Sequence, residues 1–281
     1  MEQGPRSDEP RTMAQLREHY DIEKSLAAKL MGASQHDRRT LYAVLYDELY
    51  RRVPLHPQLT RKASPQEAAR AVATQMRLLR PFLGPEVVFL EVGPGDCALS
   101  IEVAGSVKQV YGVDVSDTIT SRRDVPTNFR LVLSDGSNIP VPPQSVHVAY
   151  SNQLMEHLHP HDAFEQLGSI YQALAPGGIY VCITPNCLNG PHDVSRYFDD
   201  VATGFHLREY TTGELRRLFA DAGFTRVHQS VALKGRDIAV PVAAVAVVEN
   251  LLGRFAPATR RSLAGRPVLK RLLGIRLIAT K

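Results

Sequence analysis

Residues 87–92 read VVFLEV and run straight into Gly93-Pro94-Gly95. A strand that is apolar on both faces needs cover on both, which is the setting of a parallel sheet packed between helices. The same rhythm recurs downstream. VKQVYGVDV (107–115), FRLVLSD (129–135), SVHVAYS (145–151) and IYVCITP (179–185) are strand-like, with helix-patterned segments among them. RVHQSVAL (226–233) and GIRLIATK (274–281) complete a set of seven. Strands alternating with helices predict an α/β fold built on a doubly wound, seven-stranded sheet.

The rest of the chain is organised around that core. Residues 1–11 are polar and proline-bearing and predict a disordered tail, and residues 12–84 hold three helical patterns, an N-terminal helical extension placed to act as a lid. In DRRTLYAVLYDELYRR, Leu41, Leu45 and Leu49 run beside Tyr42, Tyr46 and Tyr50 at i, i+4 spacing, which predicts an apolar face edged with phenol tips. Ser64-Pro65-Gln66-Glu67 is a capping box with proline at the first helical position, and Pro81 ends the helix it starts. The core spans 85–235, a helical basic insertion 236–273, and the last core strand 274–281.

In a doubly wound sheet a ligand sits beyond the carboxyl ends of the strands, beside the first turn. Gly93 and Gly95 let the backbone approach it closely. The loop lacks the GK[ST] ending of a phosphate-binding P-loop, and Ala98 stands where a dinucleotide fingerprint has its third glycine. Asp114, at the end of the second strand, suits the hydroxyls of a ribose. Glu91 precedes the loop, where a pyrophosphate would meet a like charge but a ligand with a cationic amino acid end would not. Asp135 ends the third strand, where it can face an exocyclic amine or serve as a turn residue in Ser-Asp-Gly-Ser.

Taken in order, LEVGPGDC, VYGVDVS, LVLSDGSNIP, SVHVAYSNQLMEHL and LAPGGIYVCITPN resemble the successive motifs of the class I S-adenosylmethionine-dependent methyltransferases of the type 11/23 kind. The resemblance covers about residues 85–235 and the last strand. It implies a Rossmann-like sheet and S-adenosylmethionine as cofactor. By the same resemblance, Glu91, Gly93, Gly95 and Cys97 line the methionine end, Asp114 and Val115 take the ribose, Asp135 and Gly136 the adenine, and Asn152 the amino acid end. Cys97 stands where many members carry a further glycine.

Methyl transfer from a sulfonium needs positioning and, for a hydroxyl acceptor, a base. The run QLMEHLHPHD places histidines beside the end of the fourth strand. A helical turn starting near Asn152 would align Gln153, Glu156 and His157 on one face. His157 is the candidate base, with Glu156 beside it, whereas His159 and His161 read as packing or capping residues. The segment also resembles the E-x-x-E-H stretch of ubiquinone-pathway O-methyltransferases and small-RNA 3′-end methyltransferases, which binds a divalent metal with a later histidine. HLREYT (206–211) resembles the stretch supplying that histidine, here His206. Gln153 replaces the first acid, which weakens a site for a hard cation, so no metal is expected. The long segment 186–207 reads as a substrate loop. His192, Asp193, Arg196 and Tyr197, with Gln153 and His206, are its candidate acceptor contacts.

The chain has 281 residues, a net charge of +4 and three scattered cysteines, which excludes a disulfide framework. Its polar start predicts no signal peptide, so a cytoplasmic location is expected. Between Arg254 and Lys281 there are eight basic residues and no acid, a cluster suited to peripheral membrane contact or a homodimer surface. With no RNA-binding motif, the expected acceptor is a small molecule, methylated at a hydroxyl by in-line displacement, and no nucleic acid partner is expected. The rivals are an RNA methyltransferase and a cofactor-binding interaction protein without catalysis.

Overall fold

The computed structural model describes residues 9–60, 64–116, 124–233 and 235–281. Strands β1 (Val88–Val92), β2 (Gln109–Asp114), β3 (Phe129–Leu133), β4 (Val146–Asn152) and β5 (Leu174–Thr184) pair in parallel in the order β3-β2-β1-β4-β5. Three antiparallel strands extend the sheet: β8 (Ile275–Thr280) lies between β5 and β6 (Arg226–Leu233), and β7 (Arg236–Pro241) forms the edge. The strand order reverses between β1 and β4, the switch point where a Rossmann-like α/β sheet opens its ligand crevice.

Successive residues on each central strand enter opposite cores. Leu90, Ala149, Tyr180 and Leu277 pack on one face with α6 (Pro160–Ala173) and α7 (Thr212–Asp221). Phe89, Val148, Val181 and Ile278 pack on the other with α4 (Pro65–Leu79) and α5 (Ala98–Ala104). Period-two side chains with both faces covered account for the unbroken apolar runs in the sequence.

Among the described residues the sheet has eight strands, one more than the periodicity predicts. The run IAVPVAAVAVV reads as part of the helical insertion, but Pro241 divides it. The residues before Pro241 pair antiparallel with β6, and Pro241 is the N-cap of α8 (Val242–Leu252). The insertion is therefore a strand followed by α8, α9 (Pro257–Ala264) and α10 (Pro267–Leu273). Pro176, Gly177 and Gly178 lie within β5, opposite a register shift at Val146/Val148.

The N-terminal extension divides in two. Helix α4, capped by the Ser64–Glu67 box, buries Met76, Leu78 and Leu79 in the second core and is a layer helix. Helices α1 (Met13–Gly32) and α2 (Gln35–Arg52) belong to the other side, and the short α3 (Pro57–Thr60) follows them with no buried residue. Helix α2 is fixed there by a buried network: Arg38 donates to both oxygens of Asp162 at 2.6 and 2.7 Å, and the Tyr42 hydroxyl donates to the same carboxylate at 2.6 Å. Burial alone would raise the Asp162 pKa, but these hydrogen bonds draw it below the usual carboxylate value. Tyr42 is thus buried against its polar partner, and Tyr46 stacks on Phe205, so the phenols that edge the apolar face are packed. The tail reading is corrected at Arg11, which is buried and held by Glu9 and His19; residues 1–8 lie outside the described residues.

Candidate active site

The crevice begins at the turn after β1. Gly93, Gly95 and Cys97 all take left-handed backbone, with φ of 70°, 53° and 58°. A Cβ on Gly93 would meet Leu154 at 3.2 Å, so this glycine lets the turn lie against the segment after β4. Around Gly95 a Cβ would meet nothing within 4 Å, so only its backbone angle calls for glycine there. Cys97 occupies a conformation that glycine adopts at no steric cost, which explains a glycine at this place in similar chains. Glu91 is buried, accepts a 2.6 Å hydrogen bond from Ser100, and is pushed by burial to a pKa of about 8.

Asp114 sits across the loop. Its carboxylate accepts from the amides of Val115 (2.7 Å), Ser116 (3.3 Å) and Gly95, and burial raises its pKa despite them. A carboxylate offers about four acceptor positions, so with three amides bound about one is left for a ligand hydroxyl. Asp135 is deployed differently. Its oxygens accept from the amides of Ser137 and Asn138 and from the Asn138 side chain, and Arg39 of α2 lies 3.3 Å away. Gly136 has φ 95°, and a Cβ there would strike the Tyr42 ring at 2.9 Å. Both residues shape a turn on which α2 closes.

Beyond β4 the expected helical turn does not form at Asn152. Asn152 ends the strand, Gln153 is exposed with φ 54°, and a single 3-10 turn spans Met155–His157. Gln153 therefore does not share a face with Glu156 and His157. A left-handed Gln153 donating its amide to Ile183 breaks the helical phase that the spacing assumed.

Glu156 and His157 instead meet His206. Glu156 is fully buried, with Oε2 accepting from Thr184 at 2.8 Å and Oε1 without a hydrogen-bond partner among the described residues. Burial raises its pKa. His157 Nδ1 lies 2.9 Å from the Phe205 carbonyl, so Nδ1 carries the proton and Nε2 is left as an acceptor. Burial, then the nearby His206, draws the His157 pKa down to about 4, so the ring is neutral. His206 Nδ1 donates to Glu209 at 2.7 Å in the same way. The His157 and His206 rings meet edge to face at 4.8 Å, and one ligand atom each from Glu156, His157 and His206 lies within 4.8 Å of the others.

This donor set fits a divalent cation: an orphaned buried carboxylate oxygen and two imidazoles whose Nδ1 atoms are fixed by outer acceptors. A second cluster, His19, Glu23 and His56, does not fit. Arg11 donates into His19 Nδ1 at 2.7 Å, so Nε2 must carry the proton that it gives to Glu23 at 2.7 Å. Glu23 also accepts from the Phe205 amide, and these donors hold its pKa at about 2 against the effect of burial. That cluster ties α1 to the substrate loop.

The remaining loop residues separate. Glu209 is buried and bridges His192 and His206, which holds its pKa at about 2 in spite of burial. Asp193 accepts from the amides of Ser195, Gly204 and His206 and folds the loop back on itself. Arg196 reaches backbone carbonyls of His192 and Asp193, both at 3.4 Å. Tyr197 packs with Leu16, Tyr20 and Val194, on the α1 side. Sequence reasoning missed Tyr46, Phe205, Thr184 and Glu23. Only Glu209 carried a signal, as the acid of HLREYT.

A left-handed glycine turn at the switch point of a parallel sheet, faced by an acid at the end of β2, defines a nucleoside-binding α/β domain. The chain belongs to the methyltransferase domain family, whose model matches residues 58–229. A "Probable S-adenosylmethionine-dependent methyltransferase" of Mycolicibacterium smegmatis is 29% identical over 149 residues. The match spans 53% of this chain and 55% of that protein, so the chain covers about half the length of this curated relative. Among solved structures, a SAM-dependent methyltransferase from Archaeoglobus fulgidus is 18% identical with a TM-score of 0.49, covering 81% of this chain and 98% of that one. Phosphoethanolamine N-methyltransferase 2 of Haemonchus contortus is 16% identical with a TM-score of 0.47, covering 74% and 52%. Likenesses at that level say nothing about acceptor or mechanism.

Proposed function

We propose that this protein transfers a methyl group from S-adenosylmethionine to a hydroxyl of a small molecule. The observation that supports this reading best is the seating of Leu154 on Gly93, which brings the turn carrying Glu156 and His157 against the glycine loop. The bound cofactor supplies an activated methyl on a sulfonium, so the protein has only to bind, orient and remove one proton. The Gly93–Cys97 backbone and Glu91 hold the methionine end, and Asp114 and Val115 the ribose. The Asp135–Gly136 turn bounds the adenine, and Asn152 lies at the amino acid end. The neutral His157 accepts the hydroxyl proton at Nε2 as the oxygen–methyl bond forms and the sulfur–methyl bond breaks. Its other proton stays on Nδ1, which donates it to the Phe205 carbonyl and so fixes the tautomer. In the alternative version His157 Nε2 is a ligand and not the base: a cation held by Glu156, His157 and His206 would lower the pKa of that hydroxyl, and Glu156 Oε1, which has no hydrogen-bond partner among the described residues, favours this version.

Transfer of isotopically labelled methyl into a host-cell lysate tests the proposal. Label in the organic-extractable fraction is expected; label confined to RNA would replace the small acceptor with a nucleic acid. Metal content after purification decides the cation: less than stoichiometric metal, with activity indifferent to chelator, removes it.

Glu91 makes a second expectation. Its pKa of about 8 keeps it protonated at neutral pH, and a cationic ligand end beside it favours the ionised form. Binding then releases a proton, so affinity rises with pH up to about 8 and levels off above. Calorimetry in buffers of different ionisation enthalpy should show a released proton that Glu91→Gln abolishes. A wild-type release equal to that of the variant would confine Glu91 to its bond with Ser100.

A further inference from the structure

Helix α8 is apolar apart from Glu249 and the exposed Asn250, yet only half of it is covered. Val242, Val245 and Leu252 face inward, with Glu249 among them. Ala243, Ala244, Val247 and Leu251 face out, with Val247 60% and Leu251 51% exposed. The spacing of Val247, Leu251 and the 47%-exposed Phe255 carries the stripe past the helix end, and α10 adds Val268 at 76%. Isolated exposed apolar residues are ordinary, but a continuous stripe of them is not.

The charges around the stripe are of one sign. Arg254, Arg266, Lys270 and Arg271 are exposed, and among the described residues none has an acidic partner within 4 Å. Arg254 stands within the stripe, between Leu251 and Phe255. We propose that this face docks on an anionic lipid surface, lying on it with the apolar side chains in the acyl boundary and the cations at the headgroups. Helix α8 has 11 residues, and no helix among the described residues is long and apolar enough to cross a membrane, so the helix lies in the plane of the interface. A second copy fits less well, because a two-fold contact would press unpaired cations of both chains together. RNA fits less well because aliphatic side chains offer no stacking platform.

The platform is rigid and joined to the candidate active site. Buried Glu249 accepts from the Asn186 side chain and the amides of Thr212 and Gly213 at 2.7, 2.7 and 3.1 Å, and Arg261 pairs with Asp200 of the substrate loop. Docking would therefore hold the loop that carries His192 and His206 close to the lipid surface. The inference stands on this surface alone and does not depend on the methyl-transfer reading.

Co-sedimentation of the full chain tests it, with vesicles of phosphatidylcholine and of phosphatidylcholine mixed with phosphatidylglycerol, at low and high salt. Binding is expected only to the anionic vesicles and only at low salt. Replacing Arg254, Arg266, Lys270 and Arg271 by Gln should lower the partition at least about a hundredfold, at roughly tenfold or less per charge. The exposed triple change Val247→Ser, Leu251→Ser, Phe255→Ser should lower it about tenfold or more with circular dichroism unchanged. Equal sedimentation with both vesicle types, or variants that bind as the wild type does, would overturn the proposal. So would a stable dimer dissolved by the triple change, or salt-dependent RNA retention without vesicle binding.

Discussion

Asp162→Ala lowers the unfolding free energy by about 3–5 kcal/mol, the usual consequence of leaving one buried partner of an ion pair alone. Arg38 and Asp162 are 6% and 4% exposed, and Tyr42 loses its acceptor in the same change. For a chain of this size the melting temperature should drop by roughly 10 °C. Tyr42→Phe, which leaves the ion pair intact, should cost about 1 kcal/mol. The pH dependence has a defined sign. Asp162 titrates lower in the folded protein than unfolded, so its contribution is present above the unfolded carboxylate value and is lost as pH falls through the folded one. Denaturant unfolding reads all three; a loss under about 1 kcal/mol for Asp162→Ala would mean that desolvation cancels the pair.

His157→Ala lowers kcat by about 10²–10⁴-fold, the range for removing a positioned base. Cofactor affinity should stay within about twofold, since the proposed cofactor contacts do not include the imidazole. Glu156→Gln separates the two versions of the chemistry. It keeps the volume and a partner for Thr184 but removes a carboxylate ligand, so a cation-dependent enzyme loses bound metal with activity. Retained activity in Glu156→Gln together with loss in His157→Ala would leave His157 acting without a cation. A His157→Ala variant with unchanged kcat would remove it from the chemistry.

The parallel strands were legible as strands because the central ones bury both faces, and an apolar run of five or six residues has few other uses. The extra strand was hidden because β7 and α8 share one apolar run, and Pro241 marks a change of element as readily as a break within one. At the site, types and neighbourhoods came through: Glu156, His157 and His206 were nominated and lie together. Phase did not come through. A left-handed Gln153 has no signature in a non-glycine residue, and it turns the side chain out of the constellation. Tyr46, Phe205 and Glu23 stayed invisible for a different reason. Their place at the site comes from tertiary contacts between the extension and the substrate loop, and no local period records those.

Helices α1 and α2 touch both ends of the crevice: Arg39 and Tyr42 rest on the Asp135–Gly136 turn, and Glu23 and Tyr46 hold Phe205 beside His157. The two ends therefore share one support. A ligand that shifted this pair of helices at one end would alter the support at the other, and equilibrium linkage would make the effect equal in reverse. On the proposed reading, cofactor and acceptor binding would then be coupled, each affinity depending on the occupancy of the neighbouring site.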